Sequence, residues 1–248
     1  MIVNYKNNRK TLEKLIKLKL KRYGVCVLKN FLTLKTQKKI YQYYKKYFKI
    51  TKDIKVSGPF RYKQRDFRRL DIGDRSINSR LARFILFCEW NNKELFNLIS
   101  PIIDLRNSIS NLRKKNFSYD LKKNNSKKFK YCELVRMVQY PKGGGFLSMH
   151  KDKSELYPKE MTNVLIPFSK RSNKKIKHFG TFSTGGLYYF KNKKKIDIEK
   201  ILNVGDLVFH DQSIFHGVSS VDYDKHLDLP KLNGRTTLNF SIAKFLTQ

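Results

Sequence analysis

From residue 131 onward the sequence breaks into apolar-rich runs of strand length separated by turns. The runs are YCELVRMVQY, FLSMHKD, TNVLIPFS, GGLYYF, DLVFHD, IFHGVSSV and RTTLNFSIAKF. Many short strands joined by Gly-rich turns point to a sandwich or jelly roll. No internal repeat is visible. The first 130 residues have another character. NRKTLEKLIKLKLKRY, residues 8 to 23, sets Leu12, Leu15, Ile16 and Leu20 near one helical face and surrounds them with lysines. YGVCVLKNFL (23 to 32) reads as a short strand and turn. From Thr33 a second helix is expected, with Ile40, Tyr44, Tyr47 and Phe48 on one face. Residues 58 to 76 read as a basic loop interleaved with aromatics, 77 to 112 as a further helical region, and 122 to 130 as a polar connection. The expected fold class is α+β with a mainly β core, helices packing on a jelly roll. Residues 1–130 form the helical part and 131–248 the β core, within one compact domain.

With 18 Phe and 14 Tyr the chain has the material for a packed core, which argues against global disorder. No apolar run approaches the roughly 20 residues of a membrane span, and the N-terminal stretch lacks the apolar region of a secretory signal. Cys26, Cys88 and Cys132 are few and widely spaced, which argues against a disulfide framework or a CxxC metal site. A reducing, cytoplasmic setting is therefore expected. The charge is the unusual quantity: 54 Lys plus Arg against 20 acids give +34. Residues 1 to 65 hold 20 of those cations and only two acids, Glu13 and Asp53. Such a field attracts phosphates, nucleic acid, anionic headgroups or acidic sugars, unless it is merely a solvated surface.

GGGFLSMHKDK carries His150 and Asp152 one residue apart. On an extended segment residues i and i+2 share a face, so these two side chains can converge on one ion while Lys151 points away. Alone the pair is a weak signal. GDLVFHDQSIFHGVSSV (205 to 221) adds His210 and His216, the latter between large apolar neighbours as an inward-facing ligand would be. Two histidines and a carboxylate suit non-haem Fe(II), with positions left for a cosubstrate and oxygen. His210 is read as a structural neighbour, Asp206 and Asp211 as turn residues, and His178 and His226 as solvated.

These residues, with Arg235 in GRTTLNFSIA, resemble the Fe(II)/2-oxoglutarate-dependent dioxygenases, particularly the prolyl-hydroxylase-like and phytanoyl-hydroxylase-like branches. The resemblance covers residues 131 to 245 and rests on H-x-D, a Gly-Gly strand, a late histidine and a downstream arginine in that order. It implies a double-stranded β-helix (jelly roll) as catalytic core. Outside the resemblance, the first 130 residues and the loop 169 to 184 are expected to shape the substrate mouth. The resemblance also implies His150, Asp152 and His216 as ligands of Fe(II), and 2-oxoglutarate and O2 as cosubstrates. Arg235 would hold the distal carboxylate of 2-oxoglutarate, since guanidinium is a permanently charged, bidentate partner for it. Thr237 and Tyr140 fall where the family places further cosubstrate contacts, and Arg136 is a candidate substrate contact. His216 and Arg235 lie 19 residues apart, longer than the common family spacing, and residues 222 to 234 read as an inserted loop.

The expected activity is hydroxylation of an unactivated C–H bond of an anionic small molecule or glycan intermediate, with release of succinate and CO2. The presence of Asp152 favours hydroxylation over halogenation, because halogenating relatives lack that carboxylate. Two other readings stay open: an oxygenase or binding protein acting on nucleic acid or at an anionic membrane surface, and a non-catalytic cupin-like metal-binding module.

Overall fold

The computed structural model describes residues 1–5, 8–54, 67–74, 78–87, 93–112, 117–118, 131–152 and 161–244. Each β-type run read from the sequence forms a strand. They are β6 (Tyr131–Tyr140), β7 (Gly145–His150), β8 (Thr162–Pro167), β11 (Gly186–Lys191), β13 (Leu207–Asp211), β14 (Phe215–Val221) and β15 (Arg235–Lys244). The short strands β9 (Ser169–Arg171), β10 (Gly180–Phe182) and β12 (Lys194–Asp197) lie between them. The N-terminal part contributes β1 (Ile2–Asn4), β2 (Val25–Lys29), β3 (Phe67–Gly73), β4 (Arg80–Phe87) and β5 (Phe117–Ser118).

Among the described residues thirteen strands join one sheet, and the main path runs β1-β2-β13-β8-β15-β6-β4-β7-β14-β11-β12. β4 is the seam: β3 takes one edge, and along the other β4 pairs antiparallel first with β7, at Arg80 and Leu81, and then with β6, from Arg83 to Phe87. One half of the path, β13-β8-β15-β6, therefore faces the other half, β7-β14-β11-β12, across an interior that both supply. Val138, Tyr140, Leu165 and Val208 from the first half pack there with Leu187, Tyr189, Val218 and Val221 from the second. This is the jelly roll expected from the spacing of the runs.

The outer face of the first half is covered by helices, because its strands are apolar on both faces. In β8, Asn163 and Leu165 line the interior cavity, while Val164 and Ile166 join the core beneath the helices. That core takes Leu12 and Ile16 from α1 (Arg9–Tyr23), and Ile40, Tyr44 and Phe48 from α2 (Leu34–Ile50). Ile99, Ile102 and Ile103 come from α3 (Lys93–Ile109). Each such side chain contributes about 1.5–3 kcal/mol by leaving water. α1 begins where Asn8 accepts from Thr11 N–H and ends at Gly24, which is left-handed at φ 72°. α2 begins at Thr33, whose hydroxyl accepts from Thr36 N–H. Among the described residues no helix is long and apolar enough to cross a membrane.

Two expectations are corrected. Residues 67–73, read as part of a basic loop, form β3, and residues 80–87, read as the start of a helical region, form β4. RLARFILF is an apolar run too short for periodicity to separate helix from strand. β4 alternates instead: Ala82 and Phe84 face the interior, while Arg83 and Ile85 face the other way. β3 then forms because β4 offers it a seven-residue register, Phe67 opposite Leu86 to Gly73 opposite Arg80. Residues 58–66 and 122–130, and Cys88, lie outside the described residues.

Candidate metal centre

The glycine run Gly143–Gly145 is what brings β7 back against β14. Gly143 and Gly144 have φ of 85° and 104°, a left-handed conformation that favours glycine. Their N–H groups donate to Asp222 O and Val221 O, both at 3.0 Å, so the turn docks on the end of β14. A Cβ on Gly143 would sit 2.6 Å from the Leu227 backbone. Fixed this way, β7 pairs with β14 so that His150 stands opposite His216, their ring centroids 4.4 Å apart.

Asp152 follows two residues later. Its Oδ1 lies 3.4 Å from His150 Nε2 and its Oδ2 lies 3.5 Å from His216 Nε2. The three ligand atoms all fall within 4.8 Å of one another. Each imidazole has its other nitrogen engaged, Nδ1 of His150 with Ser148 O at 2.9 Å and Nδ1 of His216 with Ile214 O at 3.1 Å. A carbonyl can only accept, so Nδ1 carries the proton and Nε2 presents its lone pair to the centre. Asn163 Nδ2 donates to Asp152 Oδ2 at 2.6 Å and sets the carboxylate plane. Burial would raise the Asp152 carboxyl, but the surrounding histidines, His216 foremost, hold it well below the usual carboxylate range. Burial lowers His216, against the pull of Asp152, so its imidazole is neutral. Two imidazoles and a carboxylate are the donor set of a divalent transition metal.

His210 lines the same cavity from β13, its ring 4.8 Å from that of His216, but it is not one of the three converging groups. Burial lowers its pKa to about 3, so it too is neutral. Tyr189, opposite His216 on β11, places its ring 5.8 Å away and is fully buried with no partner for its hydroxyl. His178 and His226 are exposed, as expected. Asp206 instead is buried and paired to Lys29 at 2.6 Å.

The cavity, about 160 Å³, continues away from the histidines to Arg235 and is roomy beside the ~10–15 Å³ that one water requires. Arg235 opens β15 opposite Tyr140 on β6 and is 1% exposed. Its guanidinium lies over the Tyr140 ring at 5.6 Å. The inserted residues 222–234 form an irregular excursion before β15, so the long spacing leaves the ladder in register. Arg235 Nε donates to Glu199 Oε2 at 2.8 Å, while its Nη2 is buried without a partner. Thr237, on the same face of β15, has a buried hydroxyl that is likewise unpaired. Arg136 lines the cavity further along β6. Sequence reasoning missed Glu199 and Tyr189. Tyr189 shares the inward face of β11 with Leu187, two residues before it, and was readable from GGLYYF, whereas Glu199 sits in a single 3-10 turn, Glu199–Ile201, with no local signal.

No family model matches the chain, and no curated protein matches it. Solved structures do. A Pseudomonas putida prolyl-4-hydroxylase is similar at 14% identity and TM-score 0.56, over 94% of this chain and 98% of that one. A Trichoplax adhaerens prolyl hydroxylase, in complex with a hypoxia inducible factor oxygen degradation domain peptide fragment, is similar at 15% identity and TM-score 0.56, over 96% and 91%. A full-length Neurospora crassa protein in complex with alpha-KG is similar at 11% identity and TM-score 0.56, over 98% and 84%. At these identities the likeness establishes the fold. This chain shares the fold of those structures along nearly its whole length, with the jelly roll as its core.

Proposed function

We propose that this chain is an Fe(II)- and 2-oxoglutarate-dependent oxygenase that hydroxylates a C–H bond of an anionic small molecule or glycan intermediate, releasing succinate and CO2. One observation carries the reading. His150, Asp152 and His216 converge at one end of a cavity whose other end holds Arg235, a buried guanidinium with an unpartnered Nη2. A metal-only module has no use for that arginine, whereas a diacid cosubstrate needs it.

His150, Asp152 and His216 hold the metal. Iron with 2-oxoglutarate and O2 supplies the oxidising power that puts one oxygen atom into the C–H bond. The chain's own contribution is orientation and shielding. Ser148 O and Ile214 O fix both Nε2 lone pairs on the metal position, and Asn163 fixes the carboxylate. Arg235 takes the distal carboxylate of 2-oxoglutarate while Glu199 holds its Nε, so the guanidinium has one orientation. Thr237, two residues on along the same face of β15, and Tyr140, opposite Arg235 on β6, are the further cosubstrate contacts. The apolar walls Leu165, Leu187 and Val218 limit water at the centre.

The test is anaerobic loading with Fe(II) and 2-oxoglutarate, then oxygen. The expected result is iron-dependent succinate formation, and a metabolite extract should yield a product one oxygen atom heavier. Succinate formation that is absent, or unchanged in His216→Ala, overturns the reading.

A further inference from the structure

The oxygenase reading assigns both ends of 2-oxoglutarate, one to the histidines and one to Arg235, and leaves a second group of cations in the cavity unexplained. Along β6 the cavity face runs Tyr140, Val138, Arg136. Arg136 therefore stands about 13 Å from the Tyr140–Arg235 rung at ~3.3 Å per residue. Next to β6, β4 turns Arg80 and Phe84 to the same cavity. Arg80 is opposite Leu147, and Ser79 exchanges hydrogen bonds with Ser148, so this corner adjoins the strand that carries His150.

The guanidinium groups of Arg80 and Arg136 both lie 5.6 Å from the Phe84 ring centroid. Among the described residues Arg80 has one carboxylate near it, Asp71 Oδ2 at 3.6 Å, and Asp71 is shared with Arg69. Among the described residues no carboxylate pairs with Arg136. Nε of Arg136 and Nε of Arg80 are buried without partners, as are Oδ1 of Asn78 and Oδ1 of Asn239 beside them. Arg80 and Arg136, which share that ring with Arg69 at 5.3 Å and are short of counter-charge and of hydrogen-bond acceptors, repel each other and are incompletely solvated. An oxyanion between them removes both costs. Guanidinium groups also match carboxylate and phosphate in geometry.

Resting on the reading above, we propose that Arg80 and Arg136 form the docking site for an oxyanion, carboxylate or phosphate, on the molecule that is oxidised. Phe84 splays the two guanidinium groups, and Asn78 and Asn239 accept from the hydroxyl or amide groups flanking that anion. The site makes the substrate a small acid or phosphate ester whose charged end lies at the β4–β6 corner, with the carbon to be oxidised toward His150.

The test uses the full metal-free chain and calorimetric titration with inorganic phosphate and, separately, acetate. Arg136→Gln and Arg80→Gln should each weaken binding by about tenfold or more, the scale of one lost hydrogen-bonded charge. Arg136→Lys should fall between, because it keeps the charge and loses the fork. Arg235→Lys should leave phosphate binding within about twofold and weaken 2-oxoglutarate binding measured with Fe(II). Phosphate alone being sensitive to Arg136 assigns a phosphate ester, and acetate alone a carboxylic acid. Anion binding that is absent, or indifferent to both Arg136 variants, overturns the proposal. So does a loss of 2-oxoglutarate binding in Arg136→Gln, which would put Arg136 in the cosubstrate site. If Fe(II) promotes no 2-oxoglutarate binding while phosphate still depends on Arg136, the oxygenase reading fails and the anion site stands.

Discussion

Each metal-facing side chain has its free rotation removed by a neighbour, and that is where single substitutions should tell. His150→Ala, Asp152→Ala and His216→Ala are each expected to abolish bound iron and succinate formation, since each removes one of the three groups proposed to hold the metal. His210→Ala should keep most of both, because its ring lies beside His216 without joining the converging atoms. Asn163→Ala leaves the ligands and frees the carboxylate, so metal affinity should fall by about 10–100-fold. Iron content after dialysis checks all five variants. Arg235→Leu separates cosubstrate from metal: the 2-oxoglutarate requirement should rise strongly while iron stays bound. It also strands Glu199, 3% exposed, as an unpaired buried charge, at a cost of about 3–5 kcal/mol. The double variant Arg235→Leu/Glu199→Leu should recover much of that stability in a denaturant melt and none of the 2-oxoglutarate affinity. Recovery of affinity as well would remove Arg235 from the site. At Cys26, wholly buried on β2, burial pushes the thiol up to about 12. It should resist alkylation at pH 8 until the chain unfolds, as peptide mapping would show.

Strands carry the site, so the spacing between strands sets the ligand geometry. Gly217 follows His216 on β14, and a Cβ there would meet Tyr188 Oη at 2.5 Å and Leu147 O at 2.8 Å. Tyr188 can swing aside, but Leu147 O is backbone of β7. Gly217→Ala should therefore cost about 1–3 kcal/mol by overpacking and push β14 from β7. A loss of metal affinity without unfolding is expected, and iron titration beside a thermal melt distinguishes the two. The strands of the β core were legible because each is a short apolar-rich run, with inward and outward residues alternating. α1 and α2 were legible from their 3.6-residue stripes and from Asn8 and Thr33 as caps. β4 was not, since RLARFILF has the same apolar density as a buried helix turn and its strand identity comes from β3 on one edge and β6 and β7 along the other. β3 was hidden by Arg68, Arg69 and Asp71, which read as loop charges but are paired in the structure to Asp53, Asp71 and Arg69 respectively. At the site, the proposed metal ligands and Arg235 announce themselves by residue type. Glu199 does not, because nothing local distinguishes a buried counter-ion from a solvated glutamate.

Over the whole molecule the charge of +34 is not spread evenly with respect to the cavity. A groove beside its mouth is lined by Lys17 and Lys21 of α1, Lys191 of β11 and Lys151, which lines the cavity as well. Asp211 is the acid on that groove, and it is engaged locally by Ser213. An anion diffusing to the centre thus meets a positive approach before it meets Arg80 and Arg136. Such fields raise capture rates and weaken as salt rises. Replacing Lys17, Lys21 and Lys191 by Gln should raise the substrate KM several-fold at low salt. It should leave uncoupled 2-oxoglutarate decarboxylation nearly intact, because those lysines lie outside the metal and Arg235 contacts. At ~0.15 M salt, where screening acts beyond about 8 Å, the difference should shrink, and near 1 M it should vanish. If the lysines reflect nothing but composition, wild type and variant run parallel across the whole salt series. A slope that steepens with oligonucleotide length, as counterion release from many phosphates requires, would instead make a nucleic acid the partner of this groove.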